Sequence, residues 1–198
     1  LPSTDLEERG SKKKKREIAS TNKKFLIESL GFSEDKVNQL QTGSIHILTL
    51  ENGVLEERTK WLQQRLELDD TALRKMIQQM PAILSCSISD NLAPKLDWLQ
   101  QQGLHDAALM KVIRGNPSIF SKSISDHLEP KLDWLQTRLH LNKTALSKII
   151  SAKPPILGYS VPDKMEITLN WLQNRLSLSD GGLSILIKNT PALLSYIN

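Results

Sequence analysis

The stretch "PAILSCS" at residues 81–87 recurs as "PSIFSKS" at 117–123, "PPILGYS" at 154–160 and "PALLSYI" at 191–197. The four prolines that open these stretches are separated by 36, 37 and 37 residues. Four tryptophans, at positions 61, 98, 134 and 171, repeat with spacings of 37, 36 and 37. A fixed period of this length is the sequence signature of a repeat protein, so the chain is predicted to consist of units of about 37 residues.

Each unit contains two helical patterns. Apolar residues stand eight, five and four positions before each proline, as Leu73, Met76 and Ile77 do before the first one. These offsets lie on one helical face, and the proline ends that helix. The apolar pair that follows, such as Ile83 and Leu84, predicts a tight helical turn that enters the core. A second helix then carries the tryptophan, in "SISDNLAPKLDWLQQQ" and its equivalents, with Ser and Asp as caps.

A unit of this size cannot bury its own apolar face, whereas stacked units share a continuous core. The sequence therefore predicts an all-α, helical-repeat solenoid, a superhelix of helix-turn-helix units, with the tryptophans in the core. Residues 1–24 are predicted to form a basic flexible arm, and residues 25–68 a degenerate first repeat or cap in which Ser44 replaces the proline. Residues 69–198 are predicted to hold three full repeats and a truncated one.

The positive charge is concentrated at the start of the chain. The formal net charge is +4, and the first 24 residues hold 8 basic and 4 acidic side chains, which leaves 18 of each in the remainder. The run Lys12, Lys13, Lys14, Lys15 and Arg16 is a solvated tail or a segment that neutralises phosphates without reading their sequence. The repeats themselves are neutral on average.

The helix, the phrase "P-x-I/L-L/F-S-x-S" and the following "S-D-x-L-x-P-K-L-D-W-L" resemble the mTERF family of mitochondrial and plastid repeat proteins, over residues 30–198. The resemblance implies a crescent of α-helices and short 3₁₀ turns in a mitochondrion or plastid. It also implies binding of organellar DNA or RNA along the concave side, in transcription termination or regulation, RNA processing or ribosome assembly. The family's binding residues have no motif here that ties them to particular positions.

Basic side chains recur in register and are candidate phosphate contacts, although each one is also explained as a solvated helix face. Those six positions before the proline are Lys75, Lys111 and Lys148, and those three before it are Arg114 and Lys188. Four residues after the tryptophan stand Arg65, Arg138 and Arg175, and three residues before it stand Arg58, Lys95 and Lys131. Phe120 and Tyr159 are predicted to be core residues rather than base-stacking platforms.

Other classes of function have little support in the sequence. The four histidines lack the spacing of a zinc helix, no nucleophile or phosphate-loop motif is present, and Cys86 is the one cysteine. We therefore expect no enzyme activity, no metal, no cofactor, no small-molecule substrate and no membrane span. The alternative to nucleic-acid binding is a structural scaffold with protein partners, such as a subunit of an organellar ribosome or another large assembly.

Overall fold

The computed structural model describes residues 3–42 and 46–195, which form ten α-helices joined by 3₁₀ and π turns and contain no β-strand. The helices are α1 (Ser3–Lys24), α2 (Glu34–Thr42), α3 (Val54–Leu66), α4 (Asp70–Gln79), α5 (Ala93–Gln101), α6 (Asp106–Gly115), α7 (Glu129–Leu139), α8 (Lys143–Ala152), α9 (Ile167–Arg175) and α10 (Asp180–Asn189). The predicted all-α helical repeat is confirmed. Residues up to Ile88 and residues from Ser89 onward form two compact units. No helix in the described ranges combines the length and the apolar character needed to cross a membrane.

The recurring proline phrase is a 3₁₀ turn, at Pro81–Ser85, Pro117–Ser121, Pro154–Gly158 and Pro191–Ser195. The residue before each proline leaves the helical region, as Asn116 does with φ −148° and ψ 70°, because proline disfavours helical angles there. The apolar pair of the phrase is buried, with Ile119 at 0% and Phe120 at 5% exposure. The predicted tight turn that enters the core is therefore confirmed.

The tryptophan-bearing helices α5, α7 and α9 follow π turns at Ile88–Leu92, Ile124–Leu128 and Val161–Glu166. The Ser123 hydroxyl accepts a hydrogen bond from the Asp126 N–H at 3.2 Å, and Ser160 accepts one from Asp163 at 3.3 Å. Serine is therefore the cap at the second and third of these turns, and the following aspartate lies in the first turn, near the positive end of the helix dipole.

The proline-terminated helices have caps of their own. Asn142 accepts from the Ala145 N–H at 2.8 Å and Ser179 accepts from Gly182 at 3.1 Å. Helix α6, which follows Trp98 in the one unit with a tryptophan spacing of 36 residues, lacks such a cap, because His105 makes no side-chain cap hydrogen bond. Its connection instead passes through Gly103 with φ +81°, a conformation that glycine adopts without strain.

Residues 3–24, expected as a flexible arm, are helical as α1, and the end of this helix is attached to the unit that contains it. The buried Asn22 amide donates to the Leu48 and Leu50 carbonyls at 3.0 and 2.8 Å, and Leu26 after the helix is fully buried. This attachment could not be foreseen because both acceptors lie more than 25 residues away. Helix α2, the 3₁₀ turn His46–Thr49 and α3 repeat the order seen in later units, and Ser44 lies outside the described residues.

The tryptophans differ in burial. Trp98 is 6% exposed, Trp61 and Trp134 are half-buried, and Trp171 is 51% exposed. The prediction that the whole column belongs to the core is therefore correct for Trp98 and wrong for Trp171. Ile167, one helical turn before Trp171 on α9, is also 51% exposed, so this face of α9 is not covered by the residues that the structure describes.

Candidate nucleic-acid interface

The proline-terminated helices α6, α8 and α10 carry an exposed set of basic side chains. We call Lys111 and Arg114 on α6, Lys148 on α8 and Lys188 on α10 the first-helix cations. Within residues 3–42 and 46–195, none of the four side chains makes a hydrogen bond or an ion pair. Their charges are thus uncompensated by neighbouring carboxylates and available to an anionic partner.

The geometry of these helices places the first-helix cations in a series. Helix α6 packs against α8, and α8 packs against α10. Packed helices have axes about 8–10 Å apart, and Lys111 and Lys148 occupy the same register of the neighbouring helices α6 and α8. Lys111 and Arg114 are neighbours on one face because they are three residues apart. Ile185, 61% exposed on α10, interrupts the series at the register of the lysines.

The compact unit that ends at Ile88 also carries exposed cations. Lys75 on α4 is exposed, and the run Lys12 to Arg16 is exposed along α1. Consecutive residues of an α-helix are rotated by about 100°, so five of them point around the whole circumference of the helix. Only some side chains of this run can therefore contact one nucleic-acid backbone at the same time.

The basic side chains that follow the tryptophans differ from one another. Arg138 donates to Gln173 Oε1 at 2.6 Å and Asn170 Oδ1 at 3.2 Å, and its guanidinium lies 3.5 Å from the Asp180 carboxylate. Gln173 also donates to that carboxylate at 2.8 Å. The Arg138 guanidinium is thus engaged with the following repeat. Of the other two members, Arg175 is exposed and Arg65 is half-buried.

The basic side chains three residues before the tryptophans point inward. We call Arg58, Lys95 and Lys131 the anchor column. Lys95 Nζ donates to the Phe120 carbonyl at 2.6 Å and Lys131 Nζ donates to the Leu157 carbonyl at 2.5 Å. In the compact unit that ends at Ile88, Arg58 donates to the Leu84 carbonyl in the same way.

Each acceptor of the anchor column is the second residue of the buried apolar pair in the next 3₁₀ turn, 25 or 26 residues further along the chain. The column therefore joins consecutive repeats, and its interpretation as a set of phosphate contacts is wrong for Lys95 and Lys131, which are only 7% and 9% exposed. The fourth repeat has Thr168 at this position, and its buried hydroxyl has no hydrogen-bond partner among the described residues.

The electrostatic setting of Lys131 follows from this burial. Removal from water lowers the pKa of the Lys131 ammonium, and the positive charge of Lys122 lowers it further. The Asp126 carboxyl, by contrast, is exposed, and hydrogen bonds with Ser123 and Ser125 lower its pKa. Asp126 is thus a negative charge in the first turn that Ser123 caps, near the positive end of the helix dipole.

The remaining candidate chemistry is sparse. No group of three or more His, Cys, Asp or Glu side chains among the described residues could hold a metal ion. Phe120 is buried as predicted, whereas Tyr159 is half-exposed, and the Lys164 ammonium lies 5.3 Å from its ring centroid. Sequence reasoning missed the exposure of Tyr159 because the residue stands directly after the buried phrase.

A sequence model of the mTERF family matches residues 11–142, more than half of the chain. The matched span begins within α1 and ends before α8, although the proline and tryptophan register continues through α10. No curated protein matches the chain at a significant level.

Proposed function

The chain belongs to the mTERF family, and from this premise we propose that it binds organellar DNA or RNA and acts in gene expression, in transcription termination or regulation, RNA processing or ribosome assembly. The first-helix cations, with Arg175, Lys75 and part of the Lys12 to Arg16 run, contact phosphates. The family supports a nucleic-acid partner, a location in a mitochondrion or plastid, and a binding rather than an enzymatic role.

The observation that carries this proposal is the series of unpaired cations on packed helices. Lys111 and Lys148 are exposed at the same register of α6 and α8, and neither is neutralised by a described residue. Regularly spaced charges of this kind follow a phosphate backbone and release its counterions, which gives affinity without base readout. Arg138 is left out of the proposed contacts because its guanidinium is engaged by Gln173 and Asp180.

A second candidate function is a structural scaffold within an organellar ribosome or another large assembly. The neutral balance of the repeats favours it, since residues 25–198 hold 18 basic and 18 acidic side chains. In this alternative the repeats bind protein and the Lys12 to Arg16 run contacts RNA. A protein interface with an apolar centre responds much less to salt than a phosphate-binding surface does.

The two functions are separated by a salt titration on three forms of the full chain. The first is unmodified, the second carries Lys111→Gln, Arg114→Gln and Lys148→Gln, and the third carries glutamine at all five positions of the Lys12 to Arg16 run. Fluorescence anisotropy measures the affinity for labelled duplex DNA and single-stranded RNA from about 50 to about 200 mM salt.

Each lost phosphate contact reduces the slope of log affinity against log salt by about 0.9 for duplex DNA and about 0.7 for a single strand. We therefore expect the triple variant of Lys111, Arg114 and Lys148 to reduce the slope by about 2 to 3. If this variant keeps the unmodified slope while the variant of the Lys12 to Arg16 run loses binding, the repeats do not contact the phosphates. The scaffold function is then supported instead.

A further inference from the structure

A groove lies between the start of α7 and the segment that follows the next 3₁₀ turn. It has a volume of about 580 Å³ and is lined by Lys122, His127, Lys131, Trp134, Tyr159 and Pro162, among others. Small-molecule sites commonly have volumes of about 300–1,000 Å³ and combine aromatic walls with a few polar groups. The groove has that size and composition, and it lies apart from the first-helix cations, since none of them lines it.

In the preceding repeat, the π turn and α5 pack closely against the next 3₁₀ turn at the equivalent position. There Asn91 and Lys95 both donate to the Phe120 carbonyl, at 2.9 and 2.6 Å, and Trp98 is 6% exposed. Two donors on one carbonyl hold the π turn and α5 against the next 3₁₀ turn.

At the groove this arrangement is loosened. His127 stands in the position of Asn91 and is exposed, so Lys131 is the side chain that reaches the Leu157 carbonyl. Trp134, in the position of Trp98, is half-buried rather than buried. The replacement of Asn91 by His127 is thus one of the differences that accompany an opening in which part of the indole is exposed.

The charges around the groove favour an anion. Lys131 lines the groove, and its ammonium, which donates to the Leu157 carbonyl, adds positive charge beside it. Lys122 lies close enough to lower the pKa of Lys131, and the Lys164 ammonium lies over the Tyr159 ring. Asp126 is the one carboxylate that lines the groove, so the positive groups outnumber it.

We propose that this groove binds one nucleotide, with the base against Trp134 and Tyr159 and the phosphate at Lys122. Aromatic side chains stack on any base, and ammonium groups attract its phosphate. That the nucleotide belongs to an RNA strand rests on the proposed function. The groove itself requires only the planar ring and the phosphate, which a free nucleotide also supplies.

The test titrates the full chain with adenosine monophosphate, with inorganic phosphate and with a single-stranded RNA of about ten nucleotides, a length within the usual range of single-strand sites. Quenching of tryptophan fluorescence reports binding, and Trp134→Phe identifies the indole that is quenched. Tyr159→Leu and Lys122→Gln alter the groove, and Lys143→Gln is the matched control on an exposed lysine outside it. Circular dichroism and urea midpoints verify that each variant is folded.

We expect adenosine monophosphate to quench the unmodified chain but not Trp134→Phe. Tyr159→Leu is expected to weaken binding by about fivefold or more, which is the lower range for loss of one stacked base, and Lys143→Gln should leave it unchanged. If RNA shows the Tyr159 effect and the mononucleotide does not bind, the nucleotide comes from a strand, and the proposal stands.

The proposal is overturned if Tyr159→Leu binds the mononucleotide and the RNA as the unmodified chain does, or if inorganic phosphate binds as tightly as the mononucleotide. Failure of the proposed function looks different. In that case RNA affinity has no dependence on the first-helix cations, while quenching by the free nucleotide still depends on Trp134 and Tyr159.

Discussion

Replacing Lys131 by methionine should weaken the connection between two consecutive repeats. Lys131 on α7 donates to the Leu157 carbonyl of the next 3₁₀ turn at 2.5 Å, and the residue is 9% exposed. Methionine keeps most of the aliphatic stem, so packing is largely retained while the donor is lost. The buried carbonyl then lacks its side-chain partner.

The size of the effect follows from the loss of the hydrogen bond, which destabilises the fold, and from the removal of a buried charge, which opposes that loss. A hydrogen bond from a charged donor contributes about 1.5–3 kcal/mol, and a buried carbonyl left without a partner costs about 1–3 kcal/mol. Removing an ammonium whose charge is disfavoured by burial offsets part of this loss. We therefore expect Lys131→Met to lower the free energy of unfolding by about 1–2 kcal/mol.

Urea unfolding followed by circular dichroism measures the loss, and hydrogen exchange locates it. Exchange should accelerate in residues 154–159 for Lys131→Met and in residues 117–122 for Lys95→Met, since these segments contain the acceptor carbonyls. Lys148→Met is the matched control, an exposed lysine on α8 for which we expect a change within about 0.5 kcal/mol. Equal stability of Lys131→Met and Lys148→Met, without local exchange changes, would refute the anchoring role.

Three further outcomes are expected. Gly115→Ala should destabilise the chain by about 1–3 kcal/mol in urea unfolding, as overpacked sites do, because the new Cβ would lie 2.8 Å from the rigid Pro154 ring. Asn22→Leu should release α1, seen as faster exchange and proteolysis of residues 9–24, because two carbonyls lose their donor; unchanged protection would contradict this. Because the pKa of Lys131 is lowered on folding, the unfolded chain binds more protons between that lowered pKa and the ordinary lysine pKa, so stability should rise with pH across this window. The difference in unfolding free energy between the unmodified chain and Lys131→Met, measured from neutral to alkaline pH, checks this sign.

Sequence periodicity predicted the helices and the tight helical turn after each proline because proline acts locally. Each proline ends its helix whatever surrounds it, as Asn116 shows with its non-helical angles before Pro117. The buried positions were likewise determined by spacing, since Leu109, Val112 and Ile113 share one helical face. Features that depend on local backbone angles and on residue spacing could therefore be predicted from the sequence.

The roles of individual lysines could not be predicted from the sequence in this way. Lys131 and Lys148 both recur in register and both have aliphatic stems that can lie on apolar surface. What separates them is the Leu157 carbonyl, 26 residues from Lys131, which accepts its hydrogen bond. The same holds for Asn22, whose acceptors are remote, and for Trp171, whose exposure depends on which segments pack over α9.

The central claim is that cations on α6 and α8 contact nucleic acid whereas cations on α5 and α7 hold the repeats together. Lysine acylation, read by mass spectrometry with and without bound RNA or duplex DNA, tests both halves at once. The account predicts that Lys111 and Lys148 react in the free chain and are protected on binding, and that the buried Lys95 and Lys131 stay unreactive in both states. Equal labelling of Lys111 and Lys148 in the free and bound chain, or ready labelling of Lys131 in the folded free chain, would contradict it.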